Sequence, residues 1–248
     1  MRTQLEEITH QTIKRGYRAA KRRFHWSVVA LSQQFDPVIV KVGANDGLTS
    51  DPFRDLMANW RGVMIEPVPH CFARLRENFG DRFELENIAI DIWQGSVRFY
   101  YVEPSVIGLP AWVDGIGSFS REHVVRHLAK LGDYEQYIVE TMVETDTLAN
   151  VVERQKLDHI TLLHIDTEGY DYTVWKSLDG KFQPQAIYIE HEHLKVDERE
   201  ALVGELSQAY DILDCGSDYA ALKKVAAARK LLDDGIDPIE AKRARVAL

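Results

Sequence analysis

Acidic residues and histidines follow two apolar runs in the second half of the chain, and side chains of these types can move a proton. Asp166 and Glu168 follow the first run, and Glu190, His191 and His193 follow the second, where strand alternation places His191 and His193 on one face. Imidazole titrates near neutral pH, so we expect His191 to act as a general base that Asp166 or Glu190 orients. The alternative is a metal ion held by Asp166, His191 and His193, but the H-E-H spacing is not a recognised metal motif.

A long glycine-rich stretch, residues 104–120, precedes a second pair of histidines. Long loops inside compact domains are often binding loops, so we expect residues 104–131 to form a lid loop and helix. His123 and His127 are four residues apart and share one helix face, which meets either the substrate or the solvent. The candidate substrate contacts are His123, His127, Trp112, Glu168 and His193.

The elements that must position these side chains begin with a strand and a tight turn, V-I-V-K-V-G-A-N-D-G at residues 38–47. The β-branched residues favour a buried strand. Gly43 and Gly47 permit unusual backbone angles and leave room for a ligand, while Asn45 and Asp46 suit a tight turn. In an open α/β sheet, the turn after the first strand is where a nucleotide-like cofactor binds.

Two later segments fit the adenosine half of such a cofactor. Glu66 ends the second predicted strand roughly 20 residues after Gly43, the interval at which an acid accepts hydrogen bonds from ribose hydroxyls. Ile88 and Ala89 end the third predicted strand and offer apolar walls for an adenine ring. NAD and S-adenosylmethionine both satisfy these features.

The first turn favours S-adenosylmethionine over NAD. Pyrophosphate-binding turns usually read G-x-G-x-x-G, and this chain lacks that spacing. Asp46 would repel a pyrophosphate, whereas it would attract the sulfonium and ammonium groups of S-adenosylmethionine. We therefore expect an S-adenosylmethionine site formed by Gly43, Ala44, Asn45, Asp46, Gly47, Glu66, Pro67, Ile88 and Ala89. An NAD-dependent oxidoreductase and a catalytically silent binding protein are the alternatives.

Predicted strands alternate with predicted helices along most of the chain, a pattern typical of an α/β fold with a doubly wound, mostly parallel sheet. We expect one such domain at residues 36–224, a basic helical extension at 1–35 and a helical tail at 225–248. The predicted elements include helices at 1–34, 51–59 and 69–79, strands at 83–90 and 186–192, and a closing strand pair at 210–215 and 218–222.

Composition and charge are those of an ordinary globular protein. The 248 residues are 45% hydrophobic and carry a net charge of −9, which argues against nucleic-acid binding. No apolar run approaches the roughly 20 residues that span a bilayer. Cys71 and Cys215 fit no metal or redox motif. We expect a cytoplasmic protein with reduced cysteines and no transmembrane segment.

Lysines and arginines concentrate near both ends of the chain, and the first predicted helix carries a cluster of them at residues 14–23. This cluster is either a solvated face on a helix that caps the domain or a surface that contacts a membrane, an acidic glycan or a partner. The terminal helices are also candidate elements of a homodimer.

Five segments together carry a more specific signal, and they are Val42–Gly47, Ile65–Pro67, Asn87–Ala89, Thr145–Leu148 and Leu163–Gly169. In this order they resemble the motifs of the FkbM family of S-adenosylmethionine-dependent methyltransferases, over roughly residues 37–222. The last segment contains the family's I-D-x-E-G motif, and His164 stands where the family often carries lysine. The resemblance implies a single-domain class I methyltransferase (Rossmann-like) fold with an antiparallel last strand.

The resemblance also implies a reaction, the O-methylation of a hydroxyl on a sugar, glycoconjugate or secondary metabolite, with S-adenosylhomocysteine as product. Methyl transfer from a sulfonium is an in-line displacement in which the protein mainly positions the acceptor. An alcohol acceptor also needs a base or a metal to remove its proton. We expect a small-molecule or glycan acceptor, general-base catalysis and no required divalent metal.

Overall fold

Strands and helices alternate along most of the chain, as the sequence predicts for an α/β fold. The computed structural model describes residues 4–33, 36–49, 51–104, 106 and 108–224. The helices are α1 Gln4–Ser32, α2 Pro69–Phe79, α3 Arg121–Leu128, α4 Leu148–Arg154, α5 Asp171–Lys176 and α6 Val196–Ala209, with 3-10 helices at Arg54–Asn59, Ala111–Gly115 and Glu135–Tyr137. The strands are β1 Val38–Val42, β2 Arg61–Ile65, β3 Glu84–Glu86, β4 Ala89–Ile90, β5 Gly95–Val102, β6 Gly117–Ser118, β7 Ile138–Asp146, β8 Leu162–Ile165, β9 Ala186–Glu190, β10 Tyr210–Asp214 and β11 Asp218–Lys223.

The larger of two sheets has the strand order β10-β11-β9-β8-β1-β2-β3. Strands β1, β2, β3, β8 and β9 are parallel, and β11 lies antiparallel between β9 and β10. The mostly parallel sheet and its antiparallel last strand are therefore confirmed. The carboxyl ends of β1, β2 and β8 lie side by side at one edge, which is where open α/β sheets bind ligands.

Two apolar cores lie on the two faces of this sheet. Val38, Val40 and Val42 face the core that α4, α5 and α6 complete, whereas Ile39 faces the core that contains residues of α1 and α2. Side chains alternate between the faces of a strand, so Lys41 points to the same face as Ile39. A charged residue is thereby directed into a layer that is otherwise apolar.

The smaller sheet, with the order β4-β7-β5-β6, is not anticipated by the sequence. The continuous strand expected at residues 83–90 is wrong, because β3 pairs with β2 of the larger sheet and β4 pairs with β7 of the smaller one. Asn87 lies at the break, where its side-chain amide donates to the carbonyl oxygens of Glu66 and Pro67 at 2.8 and 3.2 Å. These bonds hold the chain as it passes from one sheet to the other.

Helix α1 confirms the predicted N-terminal helix and packs through its second half. Phe24, Val28 and Leu31 are buried, whereas the basic residues Lys14 and Arg15 are exposed. Every helix among the described residues is too short or too polar to cross a membrane. Contact of the basic residues with a membrane or a partner stays a prediction, and the predicted tail at 225–248 lies outside the described residues.

Several predicted elements differ at their ends. The helix expected at residues 51–59 is only the 3-10 helix Arg54–Asn59, because the Asp51 carboxylate accepts the backbone N–H of Phe53 at 2.6 Å and holds the chain in a turn. The strand expected at 186–192 ends at Glu190, whereas the closing strand pair is confirmed as β10 and β11. The expected domain boundaries stay predictions.

Candidate active site

A cavity lies at the carboxyl ends of β1, β2 and β8, and residues of the predicted lid form part of its wall. The predicted site residues that line it are Gly43, Ala44, Asn45, Glu66, Pro67, Ile88, Ala89, Trp112, Asp166 and Glu168. The predicted site residues outside this lining are Asp46, Gly47, His123, His127, Glu190, His191 and His193. The cavity therefore collects most of the expected cofactor residues but few of the expected catalytic ones.

The two glycines of the first turn are needed for packing inside the protein. Gly43 has φ +75°, and a Cβ there would lie 1.7 Å from the carbonyl oxygen of Asp166. Gly47 has φ +77°, and a Cβ there would lie 2.4 Å from the ring of Phe79. The space beside the missing Cβ of each glycine is thus occupied by Asp166, which follows β8, or by α2, although Gly43 also lines the cavity.

The Asp46 carboxylate shapes the turn and does not line the cavity. It accepts hydrogen bonds from the backbone N–H of Leu48 at 2.8 Å and from the N–H and hydroxyl of Thr49, both at 2.7 Å. Burial raises the pKa of Asp46, but these bonds more than offset it, so the pKa lies below its ordinary value. The geometry gives Asp46 a turn-forming role in place of the expected contact with a cationic cofactor.

Glu66 is the acid of the cavity wall beside the first turn. Its Oε2 accepts the backbone N–H of Asn45 at 2.7 Å, and its Oε1 accepts that of Val68 at 2.8 Å. The side chain is buried, and burial raises its pKa to about 7. Each carboxylate oxygen has a second lone pair, so Glu66 can still accept bonds from a ligand in the cavity.

The lid stretch is packed onto the first turn. A Cβ on Gly115 would lie 2.3 Å from the side-chain nitrogen of Asn45, so the two segments are in close contact. Phe119 packs against Tyr170 with ring centroids 4.5 Å apart, which makes it an anchor of the lid. Trp112 also lines the cavity but is 49% exposed, so part of its ring is available to a ligand.

Lys41, Asp51 and His164 form a buried polar group on the cavity wall, and of the three only His164 was noted in the sequence. Lys41 forms an ion pair with Asp51, and both side chains are almost fully buried. Burial, followed by the charge of Lys41, lowers the pKa of His164 to about 4, so this imidazole is neutral. The available signal was a charged or polar residue inside an apolar strand, in V-I-V-K-V and L-L-H-I.

Asp166 follows β8 and exposes its carboxyl group to the cavity. Desolvation raises the pKa of Asp166 to about 7, and the carboxylates of Asp171 and Glu168 add to the effect. Of the three residues expected to carry catalysis, it is the one that lines the cavity.

Asp171 is a second residue that the sequence analysis missed. It is fully buried and accepts the backbone N–H of Thr167 at 2.8 Å and that of Gly169 at 3.0 Å. These bonds support a turn in which Glu168 has φ +55° and Gly169 has φ +97°. Asp171 thereby fixes the position of Glu168 at the rim of the cavity.

His191 lies away from the cavity. Its ring stacks on Tyr219 with centroids 3.8 Å apart, and its backbone N–H donates to Ser217 at 2.9 Å. The expectation that His191 and His193 share one face is wrong, because β9 ends at Glu190 and the following turn brings His193 to within 3.9 Å of Glu190. The predicted metal set of Asp166, His191 and His193 is therefore not assembled.

Three histidines instead converge beside Glu168. The ring centroids of His123 and His127 are 4.5 Å apart, and His193 lies 5.5 Å from the first and 5.1 Å from the second. Burial raises the pKa of Glu168, but these imidazoles more than offset it, so the pKa lies below its ordinary value. The predicted substrate contacts His123, His127, Glu168 and His193 are thus brought together at the edge of the cavity.

The order of these motifs along the fold matches one family of enzymes. A family model described as the methyltransferase FkbM domain matches residues 41–219, which include the first turn, Glu66, the lid and the Asp166–Gly169 turn. The chain belongs to the FkbM family of methyltransferases. The resemblance seen in the sequence is confirmed.

One relative of this FkbM protein is the 2-O-methyltransferase NoeI of Sinorhizobium fredii (strain NBRC 101917 / NGR234). The two chains are 29% identical over 159 residues. The aligned segment covers 61% of this chain and 61% of that relative's length.

Proposed function

We propose that this FkbM protein transfers a methyl group from S-adenosylmethionine to a hydroxyl of a sugar or another small hydroxylated molecule. The observation that carries the proposal is the position of Glu66. Its carboxylate lines the cavity between the Gly43–Asn45 turn and the apolar wall of Ile88 and Ala89. An acid that can accept hydrogen bonds from ribose hydroxyls, placed between a glycine turn and an apolar wall, is the arrangement that suits an adenosine group.

The chain's own residues divide the work of holding the cofactor. The Glu66 carboxylate would accept hydrogen bonds from the ribose hydroxyls, and Ile88 and Ala89 would flank the adenine ring. Asn45 is held by its backbone bond to Glu66, so the turn and the acid are positioned as one unit. S-adenosylmethionine supplies an electrophilic methyl group on a sulfonium, and S-adenosylhomocysteine is released.

On the acceptor side, we assign to Asp166 the role that the sequence suggested for His191. Asp166 faces the cavity, whereas His191 packs against Tyr219. The Asp166 carboxylate would accept the proton that the acceptor hydroxyl loses as the new C–O bond forms. Trp112 offers a partly exposed aromatic face on which a sugar ring can stack. Transfer to oxygen is further supported by NoeI, whose name describes a 2-O-methyltransferase.

Binding calorimetry with the full chain tests the cofactor assignment. S-adenosylmethionine and S-adenosylhomocysteine should bind with a stoichiometry of one, whereas NAD should give no heat. A panel of sugars and phenols, incubated with methyl-labelled cofactor, should then yield a labelled product with a hydroxylated acceptor. Binding of NAD without binding of S-adenosylmethionine would overturn the proposal.

A further inference from the structure

Five side chains from three separate elements meet at the edge of the cavity. His123 and His127 come from α3, Glu168 comes from the turn after β8, and Glu190 and His193 come from the end of β9 and the turn after it. We call these residues the rim cluster. Its members are brought together only by the fold, since the three segments are far apart in the sequence.

The spacing of the rim cluster suits ligands of a common ion. His123 Nε2 and His193 Nε2 lie 3.7 and 3.4 Å from Glu168 Oε2, and His193 Nε2 lies 3.9 Å from Glu190 Oε1. These separations exceed the 2.7–3.2 Å usual for N–H···O hydrogen bonds. Two ligands about 2.1 Å from one ion are about 3.0 Å apart at a right angle and about 4.2 Å apart when opposite, and the observed separations fall in that range.

Three buried atoms of the cluster make no hydrogen bond. Within the described part of the chain, these atoms are His123 Nε2, Glu168 Oε2 and Glu190 Oε2. Buried polar atoms in native proteins are normally satisfied, so these three atoms indicate a missing partner. The ligand atoms of His123, His127 and Glu168 lie within 4.8 Å of one another, as do those of Glu168, Glu190 and His193.

The charge around the cluster favours a cation as that partner. The carboxyl groups of Asp166, Asp171 and Glu168 lie close enough to Glu190 to interact with it electrostatically. A divalent ion would balance the negative charge of such a group of carboxylates. The neighbouring Asp171 also holds Glu168 in its positive-φ conformation through the turn that it supports.

We propose that the rim cluster binds one divalent transition-metal ion, with His123 and His127 as nitrogen ligands and Glu168 as a carboxylate ligand, since the ligand atoms of these three residues lie within 4.8 Å of one another. Imidazole ligands select ions such as Zn²⁺, Co²⁺ and Ni²⁺ over Mg²⁺, which prefers oxygen alone. The ion would fasten α3 to the turn after β8. Because Glu168 also lines the cavity, the ion would lie next to the acceptor end. This site needs neither the cofactor nor methyl transfer in order to exist.

Metal titration of the full chain tests the proposal. The protein is prepared without a histidine tag, stripped with EDTA and titrated with Zn²⁺, Co²⁺ or Mg²⁺ in the absence of cofactor. We expect one equivalent of Zn²⁺ to bind, Co²⁺ to give the d–d absorption of a protein-bound ion, and Mg²⁺ to give no heat. His127→Ala and Glu168→Gln should each weaken Zn²⁺ binding by at least about 100-fold, since loss of outer-shell partners alone costs up to that much.

His159→Ala is the matched control, because His159 also lies beside a carboxylate, at 2.9 Å from Asp158, but outside the rim cluster. It should bind Zn²⁺ like the wild type. Glu168→Gln is nearly isosteric, and thermal unfolding in EDTA verifies that the variants are folded. Equal Zn²⁺ affinity of the wild type and Glu168→Gln would overturn the proposed metal site. Equal losses of Zn²⁺ affinity in His127→Ala and His159→Ala would overturn it as well. Since cofactor is absent, that result leaves the proposed function untouched.

Discussion

The two ends of the cavity differ in how their polar groups are satisfied. At the cofactor end, both oxygens of Glu66 accept backbone hydrogen bonds, and Asp46 is bonded three times within its own turn. At the acceptor end, buried oxygens of Glu168 and Glu190 lack hydrogen bonds from the described residues. The first end is organised by the protein itself, whereas we propose that a bound ligand completes the second. Mutations should therefore act on affinity and folding at one end and on turnover at the other.

The sharpest test of this contrast is Asp166→Asn. It should lower turnover by about 10²- to 10⁴-fold, because general-base catalysis contributes that much, and it should leave the affinity for cofactor near the wild-type value. Steady-state kinetics and calorimetry measure the two quantities. His191→Phe is the control, since phenylalanine keeps the stacking on Tyr219 but cannot accept a proton. A large loss of turnover in His191→Phe with no loss in Asp166→Asn would indicate that His191 is the general base.

Gly43→Ala addresses the organised end and should affect folding. Its Cβ would overlap the carbonyl oxygen of Asp166, and alanine disfavours the positive φ at this position. We expect a loss of about 3 kcal/mol or more in the free energy of unfolding, measured by urea denaturation. The matched change is Gly204→Ala in α6, where an added Cβ meets nothing within 4 Å. The free energy of unfolding of that variant should rise by about 0.5–1 kcal/mol. A similar loss of stability in Gly43→Ala and Gly204→Ala would contradict the packing argument.

The pH dependence of cofactor binding isolates Glu66. Burial raises its pKa from 4.5 to about 7 in the folded protein, although backbone bonds and the charges of Lys41 and Arg74 lower it. Ribose hydroxyls donate to the ionised carboxylate, so binding below the pKa must first release a proton. The dissociation constant for S-adenosylmethionine should therefore rise up to about tenfold per pH unit below about 7 and level off above it. Glu66→Gln should bind more weakly at high pH and lose this dependence, and an unchanged profile would exclude Glu66.

The smallest expected effect is that of Trp112→Ala. An aromatic stacking contact contributes about 0.5–1.5 kcal/mol, so the KM for the acceptor should rise by roughly two- to tenfold. The dissociation constant for cofactor should not change, because Trp112 belongs to the acceptor end. Phe119→Ala provides the comparison, since Phe119 anchors the lid on Tyr170 and its loss should lower stability. A change in the dissociation constant for cofactor with no change in the KM for the acceptor would instead assign Trp112 to the cofactor end.

The fold was largely predictable, because it follows from local patterns. A run rich in valine and isoleucine predicted β1, and a leucine-rich apolar run predicted β8. Proline at the start of α2 and the glycine turn after β1 marked the boundaries. Glu66 was predictable for a similar reason, since its distance from Gly43 is set by one strand–helix–strand unit. The family motifs follow the same elements, so most of the expected cofactor residues, although not Asp46 and Gly47, could be placed at the cavity from sequence order.

The acceptor end could not be derived in this way. Its members come from α3 and from the turns after β8 and β9, and a turn changes the direction of a side chain in a manner that strand alternation does not capture. His193 was assigned to the face of His191 because the strand was expected to run through residue 192, but it ends at Glu190. Asp171 and Lys41 were missed because their roles depend on backbone groups and an ion pair that only the fold brings near.

The interruption between β3 and β4 at Asn87 affects the apolar wall that we propose for adenine. Because β3 belongs to one sheet and β4 to the other, Ile88 and Ala89 stand at the seam between two separately hydrogen-bonded units. A molecule bound at this seam stabilises the contact between the two units. Binding and this contact share one coupling free energy, so a change that weakens the contact of the smaller sheet also weakens the binding of the molecule. Substitutions in β7, which contributes no residue to the cavity lining, can therefore tune affinity from outside the site.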